Sequence, residues 1–135
     1  MLESYITVDW TADDYRRWQA TRPTLSAWIK RMNDGGVLPV SGTDLTKEWI
    51  ASGEELHQEL ELLAEAGLSP NQILRLTGAN AAEALHRSDV GVIETGRRAD
   101  LVLLSADSGK PISNTQSIVW VMEGGRIVPR ASPKP

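Results

Sequence analysis

The sequence predicts an α/β chain in which helices flank one buried strand of the parallel kind and a small sheet follows. Three observations predict it. Val37-Leu38-Pro39-Val40-Ser41-Gly42 is a short apolar run between turn residues, and runs of this length read as buried strands. On both sides of it, apolar residues recur at helical spacing. After Gly91 the pattern changes to continuous apolar runs punctuated by glycine.

The elements follow in order. Residues 11–34 read as helix, opened by a capping box between Thr11 and Asp14. Tyr15, Trp18, Leu25, Trp28, Ile29 and Met32 fall near helical spacing and predict one buried stripe. Pro23 should kink the helix or start a new one at Thr21–Pro23. Asn33-Asp34-Gly35-Gly36 is a stop, with glycine available for a left-handed residue. The strand occupies 37–42, with Pro39 early in it because proline cannot donate to a ladder. Residues 45–53 read as loop. Ser52 and Glu55 form a second capping box opening a helix over 53–66, with Leu56, Leu60 and Leu63 on its apolar face and Gly67 as its stop. Ser69-Pro70 with Gln72 is a third start signal, followed by the apolar side Ile73, Leu74 and Leu76. Asn80 with Glu83 opens a short alanine-rich helix that ends near His86. Leu101 to Leu104 and Ile118 to Met122 read as strands. Gly124-Gly125 fits a tight hairpin to Ile127-Val128, which makes three or four strands in all. Ala131 to Pro135 reads as a fraying tail. The organisation expected is a helix–strand–helix segment over 1–88, a small sheet over 89–130 and a tail over 131–135. A lone strand cannot form a sheet, so something outside this segment must cover its edges.

Composition narrows the function classes. The 135 residues fit one domain, and 41% apolar content is enough for a core. A complete eight-stranded barrel needs roughly 200 residues or more, so none fits here. A net charge of −4, from 14 basic and 18 acidic residues, argues against a nucleic-acid surface. No apolar stretch approaches the roughly 20 residues that span a bilayer, so no membrane partner is expected. Met1-Leu2-Glu3-Ser4 carries no basic region followed by an apolar core, so no signal peptide is expected. The absence of cysteine excludes disulfides and thiolate metal sites and points to a cytoplasmic setting.

The chemistry centres on Asp44. A carboxylate just past the C-terminal end of a buried strand sits where α/β barrels place their active sites. The plainer reading of such an aspartate is a loop or cap residue. His57 could line a substrate pocket, but a polar residue in the first turns of the 53–66 helix is the favoured reading. His86, near a helix C-terminus, reads as structural. Ser41 and Thr43 have no histidine at a spacing that supports a triad, and read as strand-end residues. Arg97-Arg98 reads as a solvated corner. Gly91, Gly96 and Gly124-Gly125 are turn punctuation, because no helix start follows them as a phosphate cradle requires.

Several pieces, in order, resemble a known family. They are Val40-Ser41-Gly42-Thr43-Asp44, Leu56-His57-Gln58-Glu59-Leu60-Glu61-Leu62, Glu65-Ala66-Gly67-Leu68-Ser69-Pro70, Thr77-Gly78-Ala79-Asn80-Ala81-Ala82-Glu83-Ala84-Leu85, Gly91-Val92-Ile93-Glu94-Thr95-Gly96-Arg97-Arg98-Ala99-Asp100-Leu101-Val102 and Gly124-Gly125-Arg126-Ile127-Val128. Together they resemble the C-terminal third of the amidohydrolase superfamily, in its imidazolonepropionase and Xaa-Pro dipeptidase branch. The resemblance implies a parent (β/α)₈ barrel carrying one or two divalent metals, zinc foremost, with a small β-sandwich built from both chain ends. This chain would supply the last barrel strand, its helices and part of the sandwich. Asp44 matches the aspartate that ends the last barrel strand, binds metal and shuttles a proton between attacking water and leaving nitrogen. The family's other ligands are an His-x-His pair, a lysine or glutamate and two further histidines. Only His57 and His86 are present, and neither sits in such a context.

The implied function is the C-terminal part of a metal-dependent hydrolase of carbon–nitrogen bonds. It would be inactive and metal-free as an isolated chain, and would need a complementary chain to supply the rest of the barrel. The rival expectation is a non-catalytic remnant or interaction module that homo-oligomerises to cover its open edges.

Overall fold

Thr11 opens the first helix in both directions that its residue type allows. Its hydroxyl accepts from the Asp14 amide, and its own amide donates to the Asp14 carboxylate at 2.8 Å. A computed structural model describes the chain over residues 11–43 and 53–129. The expectations for Met1–Ser4, Asp44, the loop after it, Ser52 and the tail from Ala131 lie outside the described residues. Helix α1 (Ala12–Asp34) runs as one element through Pro23, so no new helix starts at Thr21. The Thr21 hydroxyl instead donates to the Trp18 carbonyl at 2.6 Å. The helix ends where the glycines predict. Gly36 takes φ +78, its amide reaches Asn33, and the Val37 amide closes on the Met32 carbonyl at 3.1 Å.

Helix α2 (Glu54–Glu65) begins on Gly53 at φ +101 without a side-chain cap. It stops on Gly67 at φ +95, with the Leu68 amide bonded to Leu63 and the Leu68 side chain buried. Ser69 and Gln72 then cap α3 (Pro70–Arg75) reciprocally, as their spacing predicts. From here the chain departs from expectation. No fresh helix opens at Asn80. The helix continues through a π turn (Leu76–Asn80) into α4 (Ala81–Ala84), and the Asn80 side chain caps nothing. His86 closes α4 with φ +53, the left-handed position usually given to glycine. A side chain in that conformation costs about 1 kcal/mol relative to glycine. His86→Gly is therefore expected to raise stability by about that amount, seen as a higher urea midpoint at unchanged m-value.

The core sits between α2, α3, the π turn and a 3₁₀ turn (Ile112–Gln116). Leu60, Ala66, Leu68, Ile73, Leu76 and Ile112 form it, with Ile29, Leu63 and Ala64 against its edge. The stripe expected to be buried on α1 is not. No described residue of α1 is buried, and Trp18 and Trp28 are 53% and 57% exposed. The periodicity is real, but the described part of the chain offers only Ile29 a place in the core.

The sheet is antiparallel, in the order β1 (Leu101–Leu104), β2 (Ile118–Glu123), β3 (Arg126–Val128). Gly124 and Gly125, at φ +55 and +81, make the two-residue turn that their sequence predicts. That turn is tied back by the Gly124 amide donating to the Asp100 carboxylate at 2.7 Å. Val102, Val121 and Val128 stand opposite one another across the three strands, so they share a face, which Val119 joins by alternation. All four are exposed. The other face carries Leu101, Leu103, Trp120, Met122 and Ile127, so the sheet is apolar on both sides.

The strand expected over 37–42 is not formed. Residues 37–43 pair with no strand among the described residues, and every described strand pair is antiparallel. The reason is the one already visible in the sequence: a single strand with a proline in it has no ladder to join. The described chain is thus helices followed by an antiparallel sheet.

Candidate functional site

The segment 37–43 leads directly to Asp44, the residue expected to carry chemistry, which itself lies outside the described residues. Its backbone is held by side chains in place of neighbouring strands. Asn80 Nδ2 donates to the Pro39 carbonyl at 3.0 Å, across 41 positions of sequence. Glu59 Oε1 accepts from the Gly42 amide at 2.7 Å. Asn80 is buried, whereas Glu59 is half-buried on α2. Ser41 and Thr43 are half-buried.

His57, the candidate substrate-binding residue, is half-buried and shares a 2.9 Å hydrogen bond between its Nδ1 and Thr115 Oγ1. That contact joins α2 to the 3₁₀ turn, close to the link from Gln116 Nε2 to Glu61 at 3.0 Å. A cavity of about 480 Å³ opens beside this junction, lined by Glu61, Glu65, Lys110 and Ile112 among others, and His57 is not among its lining residues. His86 is exposed at the end of α4, in the capping role its position suggests.

Charges elsewhere pair with one another, some within a turn and some across the fold, as Arg22 with Glu65 at 3.2 Å. Arg97 meets Glu94 at 2.8 Å, and Arg98 meets Asp100 at 3.0 Å and Glu123 at 3.4 Å, so the basic pair is a braced corner at the hairpin. The Arg87 guanidinium donates twice to Asp89 at 2.6 Å and holds its carboxyl down at about 2. A carboxyl so depressed favours the folded state above the ordinary carboxylate range and ceases to do so as pH falls toward 2. Asp14 and Asp34 are likewise lowered, by hydrogen bonds from Thr11 and Lys30 respectively. All three are exposed helix-end or turn residues, a capping and bracing pattern.

The two residues that hold the 37–43 segment were not singled out by sequence reasoning. Asn80 reads as a helix cap because asparagine before alanine and glutamate usually is one. Glu59 enters only as one residue of the Leu56–Leu62 piece that resembles the family. Nothing local distinguishes either, since their partners are far away in sequence.

The chain matches the Amidohydrolase family over residues 15–128. It belongs to that family. Adenine deaminase 2 of Rhizobium johnstonii is 32% identical over 110 residues, covering 78% of this chain and 18% of that protein. Imidazolonepropionase of Cutibacterium acnes is 38% identical over 79 residues, covering 58% of this chain and 20% of that protein. Among solved structures, an amidohydrolase superposes with a TM-score of 0.65 at 27% identity over 76% of this chain and 25% of its own. A molinate hydrolase superposes at 0.66 and 26% identity, over 79% and 29%. The chain spans about a fifth of the length of these curated relatives.

Membership brings a divalent metal into question. Among the described residues no group of three His, Asp or Glu could hold an ion. A catalytic zinc takes about three protein ligands plus water. The described residues therefore do not make a metal centre of this amidohydrolase chain. Among the same residues, no helix is long and apolar enough to cross a membrane.

Proposed function

We propose that this chain is the C-terminal part of a hydrolase of carbon–nitrogen bonds, with Asp44 as its functional carboxylate. The observation that carries the reading is the family match over residues 15–128, a span that includes the segment ending in Asp44. Relatives named as an adenine deaminase and an imidazolonepropionase support a substrate of the cyclic amide or amidine kind. In this reading Asp44 takes a proton from the attacking water and returns it to the leaving nitrogen, so the carbon–nitrogen bond breaks with no net change at the carboxylate. The divalent metal, zinc foremost, would be held by Asp44 together with ligands from another polypeptide. That complementary chain would also supply the remaining barrel strands and the second layer of a small sandwich over the sheet's apolar faces. His57 could approach substrate only from its place beside Thr115, and we assign it a structural role first.

A second reading is favoured by one observation. The tyrosine, leucine and tryptophans of α1 and the valine face of the sheet are exposed apolar side chains of the kind that an interface covers. A homo-oligomer that buries them, without catalysis, accounts for these surfaces equally well.

Metal content and molecular mass of the purified chain, measured together, separate the two. Stoichiometric zinc, or a co-purifying chain bearing an His-x-His pair, supports the hydrolase reading. An oligomer of this chain alone without stoichiometric metal supports the second. In a reconstituted enzyme, Asp44→Asn is expected to lower turnover about 100- to 10,000-fold, the usual contribution of a positioned acid–base group. In a non-catalytic oligomer the same substitution leaves the melting temperature nearly unchanged.

A further inference from the structure

Asn80 is the one polar residue found buried among the described residues, at 8% exposure. A carboxamide is kept inside a fold only when hydrogen bonds replace the water it loses. Its Nδ2 does so by donating to the carbonyl of Pro39, a backbone group that no strand ladder serves among the described residues. The residue stands at the end of a π turn, an irregularity that recurs at functional sites. Three positions beyond Pro39, the Gly42 amide is taken up by Glu59. The run from Pro39 to Gly42 is thus gripped at both ends, once through its acceptor and once through its donor, two residues before Asp44.

We propose that Asn80 is a positioning residue for Asp44. With Glu59 it clamps the Pro39–Gly42 backbone, which ends two residues before Asp44 in the sequence. This rests on the reading of Asp44 as the functional carboxylate. The clamp explains why this part of the chain keeps a defined course with no neighbouring strand among the described residues, and why asparagine stands where a cap was expected. Aspartate at position 80 has nearly the same shape but presents an acceptor to the Pro39 carbonyl in place of a donor.

The test reads amide hydrogen exchange of the 135-residue chain. Asn80→Asp at neutral pH is expected to speed exchange of the Gly42 amide by about fivefold, the worth of one net hydrogen bond, with α2 and the sheet unchanged. Acidification that protonates the new carboxyl restores an O–H donor, so the difference from wild type should close at low pH. Glu59→Gln keeps the acceptor and should exchange like wild type, whereas Glu59→Ala should match Asn80→Asp. In a reconstituted enzyme Asn80→Asp should lower kcat about tenfold with KM little changed, because geometry and not binding is lost. Gly42 exchange that is unmoved in Asn80→Asp overturns the proposal, as does a rise shared equally by α2 and the sheet. Asp44→Asn separates the clamp from the function: it leaves Gly42 exchange at the wild-type rate. If turnover survives Asp44→Asn, the functional reading falls, and the positioning role falls with it, even where the exchange signature of the clamp is found.

Discussion

Gly91→Ala is expected to destabilise the chain by roughly 3–5 kcal/mol, the largest effect of any glycine-to-alanine change among the described glycines. Two costs combine there. Gly91 has φ +88, a conformation that L side chains rarely adopt. A Cβ at that position would also stand 2.6 Å from the Ala82 Cβ and 2.8 Å from the Gly78 carbonyl oxygen. The π turn and the loop after α4 pack backbone against backbone at this point, and neither can yield without moving the other. Two companion substitutions separate the costs. Gly36 has φ +78 but open space around its missing Cβ, so Gly36→Ala should lose about 1 kcal/mol from backbone strain alone. At Gly78 the glycine is in a helical turn, and its Cβ would meet the Gly91 carbonyl oxygen at 2.8 Å, so Gly78→Ala should lose about 1–3 kcal/mol from the clash alone. Urea denaturation of the three variants checks the order. Equal effects at Gly36 and Gly91 would show that the close packing contributes nothing.

Ile73→Ala is expected to cost about 2–5 kcal/mol, because it empties a fully enclosed site. Ile73 is 0% exposed and, with Leu76, is one of the two most completely buried side chains. It stands where α2, α3 and the 3₁₀ turn meet, opposite Leu60 and Ile112. The core there is small, and a domain's whole stability is typically about 5–15 kcal/mol. Removing Ile73 is therefore expected to abolish cooperative thermal unfolding or to lower the melting temperature by ten degrees or more, on the order of a few degrees per kcal/mol. Leu74, the next residue, is 38% exposed, and Leu74→Ala should cost about 1 kcal/mol or less. Calorimetry of the pair checks the contrast, and similar melting temperatures would contradict the assignment of the core to this junction.

The wide exposure of α1 bears on both predictions. Its apolar residues contribute little to the core, so they do not buffer a loss elsewhere. A partner that covers Trp18 and Trp28 would add stability by mass action to wild type and both variants alike as concentration rises.

What could be read from the sequence was local. Thr11 with Asp14 and Ser69 with Gln72 formed the capping boxes that their spacing predicts, because both partners lie within one turn. Gly36, Gly67 and the Gly124–Gly125 pair took the positive φ values that a helix stop or a tight hairpin requires, because no other residue does so without strain. The apolar runs of β1 and β2 gave strands where they were expected. The family resemblance was legible for the same reason: its pieces keep their order along the chain.

What could not be read was everything whose partner is distant. Periodicity marked an apolar stripe on α1, but periodicity names a face and not what covers it, and the described core takes only Ile29 from that helix. The run 37–42 has the composition of a buried strand, but a strand exists only with a neighbour, and side chains from Asn80 and Glu59 hold it instead. Asn80 itself looked like a cap because its local context is that of a cap, and only the approach of Pro39 gave its carboxamide a better partner. By itself, then, the sequence determined where helices and turns begin and end, since those are settled within a few residues by caps and backbone freedom. The tertiary structure decided which apolar faces are buried and which side chains hold the segment before Asp44, since burial and long-range hydrogen bonds depend on what the rest of the chain brings near.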